Sequence, residues 1–108
     1  MANTRLEQVM TLLKAEPDDA FLNHALAMEY VAMGEDDRAI VVMTRLLELH
    51  GDYTGTYYHL GHACLRKGDK EAALATWEKG IITCTLLKKQ HHLAELQSAV
   101  NEVMFEDD

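Results

Sequence analysis

The sequence is poor in the residues and segments that mark several other classes of protein. One proline and six glycines in 108 residues leave little of the chain for loops, so helix is the expected secondary structure. No run approaches the ~20 apolar residues of a membrane-spanning helix, and the polar first residues do not form the apolar core of a signal peptide. We therefore expect a cytoplasmic protein. Its two cysteines, Cys64 and Cys84, are too few for a disulfide framework and are expected to be free thiols.

Positive charge is also scarce. The chain has 10 lysines and arginines against 18 aspartates and glutamates, which gives a formal net charge of −8 at pH 7. Such an acidic field repels phosphate backbones and anionic lipid, so we expect no nucleic acid and no membrane as partners. It attracts a basic peptide or protein. The alternative interpretation is that the acidity serves solubility alone.

The motifs of catalysis and cofactor binding are missing as well. The sequence has no glycine-rich phosphate loop, no Gly-x-Ser-x-Gly, no Cys-x2-Cys and no His-Glu-x2-His. Six histidines suggest a metal site, but Cys64 leaves its helix ~200° away from His62. It therefore cannot join His59 and His62 in the tetrahedral set that zinc requires. We predict no catalytic residues, no metal, no cofactor and no enzymatic activity.

What the sequence does contain is an internal repeat with a period of 34 residues. Fixed periods of this size are typical of helical solenoids. Sliding the chain by that offset places Leu26-Ala27 on Leu60-Gly61 and Gly34 on Gly68. The same offset also aligns Ala39 with Ala73, Met43 with Trp77 and Leu47 with Ile81.

This pattern resembles the tetratricopeptide repeat, whose signature is W-x2-L-G-x2-Y, then A-x3-F, then proline. Pro17 lies in the proline slot of a preceding, truncated repeat. The second copy matches the signature at Tyr57, Leu60, Gly61, Cys64, Ala73 and Trp77. The first copy reads Asn23, Leu26, Ala27, Tyr30, Ala39 and Met43, with Gly51 in the proline slot.

The resemblance implies an all-α fold, a right-handed superhelix of antiparallel helix pairs with about six helices in a single domain, 1–108. It divides the chain into a partial N-terminal repeat (1–17), repeat 1 (20–53), repeat 2 (54–85), a C-terminal capping helix (86–105) and a tail (106–108). Within the capping helix, Leu93-Ala94 resembles a further pair of leucine and small residue. Spacings of three and four residues also predict a single apolar stripe on this helix, formed by Leu93, Leu96, Val100, Val103 and Met104.

Local signals specify where the helices begin and end. Thr4-x-x-Glu7 reads as a capping box at the start of the first helix. Gly34 and Gly68 follow helices and suit the left-handed conformation of a helix C-terminus. Acidic residues after each glycine are candidate N-caps of the next helix, namely Asp36 or Asp37 in the first copy and Asp69 in the second.

In proteins of this family, the first helices of successive repeats line a concave surface that meets the ligand. The resemblance therefore implies a peptide-binding groove on the face of these helices that does not pack into the core. Its predicted residues are Phe21, His24, Met28, Tyr53, Tyr58, His62, Leu65 and Arg66. We expect Arg66 to pair bidentately with a carboxylate of the ligand. The alternative is that Phe21, Met28 and Leu65 are partly covered by the terminal helix.

These features predict a protein–protein interaction module, an adaptor that binds a peptide segment of a partner protein in its concave groove. Two alternatives remain. One is a small acidic chaperone for a secreted or aggregation-prone client. The other is a structural protein that forms a homodimer or larger homo-oligomer through its end helices, suggested by the apolar residues Leu12, Leu13, Met104 and Phe105.

Overall fold

The computed structural model describes residues 4–106, which form six α-helices and, within that range, no strand. This confirms the predicted all-α class and the predicted number of helices. Most of the predicted tail, Asp107 and Asp108, lies outside the described residues, as do residues 1–3. The helices are α1 Arg5–Ala15, α2 Ala20–Ala32, α3 Asp36–Leu49, α4 Gly55–Arg66, α5 Lys70–Leu87 and α6 Gln90–Met104.

Each helix packs against the next one along the chain, and α6 packs against α4 as well as α5. Short connections make sequential helices antiparallel neighbours, so α2 with α3 and α4 with α5 form two helix pairs. Helix α1 precedes them as the second member of an incomplete pair. Helix α6 follows as the first member of another. As a result, α2, α4 and α6 lie on one side of the molecule, and α1, α3 and α5 lie on the other.

The turns inside the two pairs depend on the glycines that the sequence marked. Gly34 and Gly68 have φ of +76° and +86°, which is the left-handed region that glycine enters without a steric penalty. In the first turn, the amide of Glu35 donates to the carbonyl of Tyr30 at 2.8 Å. The equivalent bond after Gly68 measures 3.0 Å. Both turns are Schellman motifs, and the prediction for these glycines is confirmed.

Two of the predicted N-caps are present and one is wrong. Thr4 and Glu7 form the reciprocal capping box, with bonds of 2.8 and 3.1 Å, and Asp69 accepts from the amide of Ala72 at 3.0 Å. At α3, however, the N-cap is Glu35, which makes no side-chain capping bond. Asp36 and Asp37 lie inside its first turn. Helices α3 and α5 begin at the same position after their glycine, since Glu35 aligns with Asp69 at the 34-residue offset, and the N-cap of α3 therefore lies one residue before Asp36 and two before Asp37.

Small residues lie where the helices of each pair cross, as the repeat pattern predicted. Ala27, Ala39 and Ala73 are fully buried. A Cβ atom added to Gly61 would overlap the indole ring of Trp77. That indole is itself fully buried, and its Nε1 donates to the carbonyl of Tyr58 at 3.2 Å. The glycine therefore makes room for the largest side chain of the core.

The terminal helix packs through most of the apolar stripe that the sequence predicts, with Leu96 and Val103 buried and Met104 exposed. Ala99 is buried as well, whereas Ala94, the small residue of the Leu93-Ala94 pair, is exposed. A Cβ added to Gly80 on α5 would lie 2.7 Å from Cβ of Tyr57 and 2.8 Å from Cδ1 of Leu96, so the space that Gly80 leaves is shared by Tyr57 of α4 and Leu96 of α6. No later helix of the described chain crosses α6, and it therefore has no need for a small residue at that position.

The chain passes from α5 to α6 later than the predicted boundary between 85 and 86. Helix α5 runs to Leu87 and ends where Lys88 adopts the left-handed conformation, with φ of 60°. Helix α6 then begins at Gln90. The division of the chain into repeats stays a prediction.

Candidate functional site

The side of the molecule formed by α2, α4 and α6 carries a continuous set of five rings. We call Tyr53, His24, His59, Tyr58 and His62 the ring row. Successive ring centroids are 5.6, 5.6, 5.3 and 4.5 Å apart, which is within the range of favourable aromatic contact. The row ends on Trp77, whose ring lies 4.9 Å from that of His62. A surface row that connects two helices is thus supported directly by the core.

Local bonds fix the row where α2 meets α4. Nδ1 of His24 lies 2.8 Å from the hydroxyl of Thr56, which is fully buried at the start of α4. At the same end of the molecule, Nδ1 of His92 lies 2.7 Å from the hydroxyl of Thr54. Two buried threonines, Thr54 at the N-cap of α4 and Thr56 in its first turn, therefore hold histidines from α6 and α2, respectively.

The structure brings together four of the predicted groove residues, His24, Tyr53, Tyr58 and His62. The fifth member, His59, was missed, because a single helical stripe was assigned to the groove. The signal that could have found it is the position of α4 between two neighbours. A middle helix shares its concave face with one helix on each side, so the residue next to Tyr58 turns towards α2.

Burial makes the histidines of the row poor proton acceptors. It is the largest cause that lowers the pKa of each of His24, His59 and His62. Glu95 of α6 raises the pKa of His59, and Glu102 of α6 raises the pKa of His62. The effect of burial is larger in both cases, so both pKa values stay below the usual value. The row therefore presents uncharged rings with polar edges at neutral pH. One of those edges, Nε2 of His62, is buried and makes no hydrogen bond within the described chain.

The remaining predicted residues have different surroundings. Phe21 is 66% exposed near the start of α2. Met28 and Leu65 are half-buried and pack against the hydrophobic core. Helix α6 packs on α4 and α5, so the exposed ring of Phe21 is not beneath it. These three residues share the concave side with the ring row, and their role in a groove stays a prediction.

Arg66 forms an ion pair within the chain. Its Nε and Nη2 donate to the two carboxylate oxygens of Asp36 at 3.0 and 2.9 Å. The hydrogen bond from Arg66 holds the pKa of Asp36 below its usual value. The same bond raises the pKa of Arg66. The bidentate pairing that we expected with a ligand is therefore made internally, between the end of α4 and the start of α3.

Two pockets open beside the ring row, and the sequence pattern had pointed to neither. The first, here the α6 pocket, has a volume of about 340 Å³ and lies between α4 and α6. The second, of about 310 Å³, lies at the end where α2, α4 and α6 begin. The α6 pocket is lined by Tyr58, His91, Ala94, Glu95, Ser98, Ala99 and Glu102. The second pocket is lined by His24, Asp52, Tyr53, Thr54, Gly55, Lys89 and His92.

In the part of the chain that the structure describes, no side chains are arranged as a metal site, and neither cysteine is set up as a reactive thiol. No three histidine, cysteine, aspartate or glutamate side chains among residues 4–106 are grouped as metal ligands. Cys64 and Cys84 are free and buried, and burial raises the pKa of both thiols. Over the same residues, no helix combines the length and the hydropathy that crossing a membrane demands.

Similarity to known proteins agrees with this architecture. A family model of the tetratricopeptide repeat matches residues 54–81. The crystal structure of a tetratricopeptide repeat domain protein from Salinibacter ruber is 35% identical in sequence, with a TM-score of 0.76, and the match covers 80% of this chain and 96% of that one. A solution structure of a tetratricopeptide repeat domain protein from the same organism is also 35% identical, with a TM-score of 0.77 over 82% and 89% of the two chains.

A third structure supports the fold alone. The solution structure of a protein from Bordetella parapertussis is 23% identical, with a TM-score of 0.86 over 98% of this chain and 92% of that one. None of the curated proteins matches the sequence. The identity to the Salinibacter ruber domain extends over nearly all of that domain. The chain therefore belongs to the tetratricopeptide repeat family.

Proposed function

We propose that this protein is an adaptor that binds an extended segment of a partner protein along the ring row. The family is one of protein–protein interaction modules and non-enzymatic scaffolds. Within that general role, the concave side formed by α2, α4 and α6 is the binding surface. The observation that carries the proposal is the unbroken contact of five rings from Tyr53 to His62.

The physical properties of the ring row suit a peptide ligand. Tyrosine and histidine have two side-chain torsions each, so ordering them on binding costs little conformational entropy. Their neighbours in the row and the core beneath already restrict those torsions. The rings offer apolar faces to side chains of the ligand, and hydroxyl and imidazole groups to its backbone. This combination favours recognition of an extended segment.

A pull-down from a lysate of the native host, read by mass spectrometry, tests the proposal. Tyr58→Ala removes the ring that joins His59 to His62 and so breaks the row. We expect a partner that the wild type retains to be lost by this variant. Ile82→Ala is the matched control, because Ile82 is an exposed apolar residue of α5 on the other side of the molecule.

The same variants must be shown to be folded. Circular dichroism and thermal melting of Tyr58→Ala separate loss of binding from loss of structure. If folded Tyr58→Ala retains every partner that the wild type and Ile82→Ala retain, the ring row is not the binding surface.

Self-association through the end helices is a second candidate, and it has a specific observation in its favour. Leu12, Met104 and Phe105 are exposed, whereas Leu13 is half-buried. Light scattering over a range of concentrations tests it, and a monomer mass at the highest concentration would remove it. The chaperone alternative would use the same concave surface as the adaptor, so it differs in the client rather than in the site.

A further inference from the structure

We propose that the α6 pocket is a subsite for an arginine side chain of the bound segment. This inference rests on the proposed function, because the pocket opens beside the ring row and shares Tyr58 with it. It adds the chemical identity of one ligand residue, which neither the family nor the row specifies.

The shape of the pocket comes from one strip of α6 and one ring of α4. His91, Glu95, Ser98 and Glu102 follow one another at spacings of three and four residues, so they lie on one face of α6. None of the lining residues belongs to α5, so the pocket opens on the opposite, concave side. The small side chains of Ala94 and Ala99 leave a space of about 340 Å³ between this strip and Tyr58.

The charge of the pocket is negative and is not neutralised by arginine or lysine of its own wall. Oε2 of Glu95 lies 3.6 Å from Nε2 of His91. The charge of Glu102 raises the pKa of His62, an imidazole rather than a permanent cation. Several acidic residues elsewhere are paired with arginine or lysine. Examples are the bonds of Arg45 to Asp18 at 2.9 Å, of Arg66 to Asp36 at 2.9 Å and of Lys67 to Asp37 at 3.0 Å. The net charge of −8 adds to the attraction of a basic group.

Arginine fits these groups better than lysine does. Its planar guanidinium can donate two parallel bonds to a carboxylate and can also stack on an aromatic face. The same chain already contains this second contact, since the guanidinium carbon of Arg38 lies 5.9 Å from the centre of the Tyr30 ring. Between Tyr58 and the carboxylates of Glu95 and Glu102, a ligand guanidinium would make both kinds of contact.

A displayed library of random nine-residue peptides, selected on the full chain, tests the subsite. Individual selected peptides are then synthesised, and their affinity is measured by fluorescence anisotropy. We expect arginine at one fixed position of the selected peptides. Glu95→Gln and Glu102→Gln should each weaken binding about 5- to 10-fold, as loss of a partly exposed charge pair does.

The control variant is Glu78→Gln, on the exposed face of α5. It changes the net charge by the same amount, and we expect its affinity to stay within about 2-fold of the wild type, since it acts only through long-range electrostatics. A second comparison replaces the selected arginine of the peptide by lysine or by citrulline. Both replacements should weaken binding to the wild type, and they should weaken binding to Glu95→Gln by a smaller factor, because only the contacts with Glu102 and Tyr58 are then left to lose.

The outcomes separate the two proposals. Peptides that require Tyr58 but show no preference for arginine, or that lose no more affinity in Glu95→Gln than in Glu78→Gln, overturn the subsite and leave the ring row as the binding surface. Enrichment of lysine in place of arginine, or of acidic residues, also overturns it. A library without any binder, or with binders indifferent to Tyr58→Ala, contradicts the proposed function itself.

Discussion

The two helix crossings of this protein solve the same packing problem with different residues. In repeat 1, Ala27 of α2 and Met43 of α3 are both fully buried. In repeat 2, the equivalent residues 34 positions later are Gly61 and Trp77, and a Cβ on the glycine would overlap the indole. A smaller residue on one helix thus accompanies a larger one on the other. The crossing tolerates either combination because what is conserved between the repeats is the filled volume.

The difference between Met43 and Trp77 also determines which repeat connects the core to the ring row. The indole of Trp77 reaches His62 and bonds to the backbone of Tyr58, so repeat 2 couples its core to the concave surface. The residue that corresponds to His62 in repeat 1 is Met28, which is half-buried against the core. The second repeat therefore carries three of the five rings, and the first contributes Tyr53 and His24 at one end.

The largest expected effect comes from exchanging the small residues of the two crossings. Gly61→Ala should lower the free energy of unfolding by about 3 kcal/mol, because the added methyl overlaps a fixed indole. Ala27→Gly should cost only about 1 to 2 kcal/mol, through backbone entropy and one lost methyl. Urea denaturation monitored by circular dichroism measures both.

The double variant Gly61→Ala/Trp77→Met, which copies the crossing of repeat 1, sharpens the test. It should be more stable than Gly61→Ala alone, with a coupling energy of about 1 to 3 kcal/mol. Additive effects of the two substitutions would mean that the residues do not share one volume.

The next largest effect concerns the third crossing, where α6 packs on α5. Leu96→Ala should lower the free energy of unfolding by about 2 to 3 kcal/mol, because Leu96 is fully buried against Gly80. Ala94→Leu, at the exposed neighbouring position, should change it by less than about 0.5 kcal/mol. The same urea titrations measure both. A strongly destabilising Ala94→Leu would show that Ala94, and not only Leu96, lies against a neighbouring helix.

A smaller effect should appear on mild acidification. The pKa of each of His24, His59 and His62 is lowered, mainly by burial, so the unfolded chain takes up protons first as the pH falls. The stability they contribute is complete above the unfolded pKa of about 6.5 and is lost as the pH falls from there through their folded values. Urea midpoints at pH 7.5, 6.5 and 5.5 measure this loss.

Met28, which corresponds to His62 in repeat 1, suggests the control variant for that titration. In His62→Met, the second repeat receives the side chain that the first has at this position, and one titrating ring is removed. The loss of stability between pH 7.5 and 5.5 should be smaller than in the wild type. An unchanged pH profile would show that His62 does not titrate differently in the folded and unfolded chains.

The smallest expected effect concerns two ion pairs that join the end of α4 to the start of α3. Asp36→Asn should lower the free energy of unfolding by about 1 kcal/mol, because Asp36 is only 15% exposed and holds both donors of Arg66. Asp37→Asn should lower it by less than about 0.5 kcal/mol, since Asp37 is 77% exposed in its pair with Lys67. Equal effects in urea denaturation would contradict this ranking.

Much of the fold could be predicted because its signals are local or periodic. The small residues at Ala27 and Gly61, the left-handed glycines and the capping box each reflect a requirement of the helix that contains them or of its immediate partner. The N-cap of α3 was predicted wrongly because Asp36 and Asp37 were chosen by residue type, whereas the helix begins at the position equivalent to Asp69, which Glu35 occupies.

The sequence by itself determined that this chain is a stack of helix pairs with a 34-residue period, and which face of each helix is buried. The tertiary structure alone decided the register of Leu96 over Gly80, the pairing of Arg66 with Asp36, the inclusion of His59 in the ring row and the existence of the α6 pocket. The physical reason is that a period specifies the phase of each helix, whereas contacts between helices depend on their relative rotation. For α6, which has packed neighbours on one side only, no repeat in the sequence encodes that rotation.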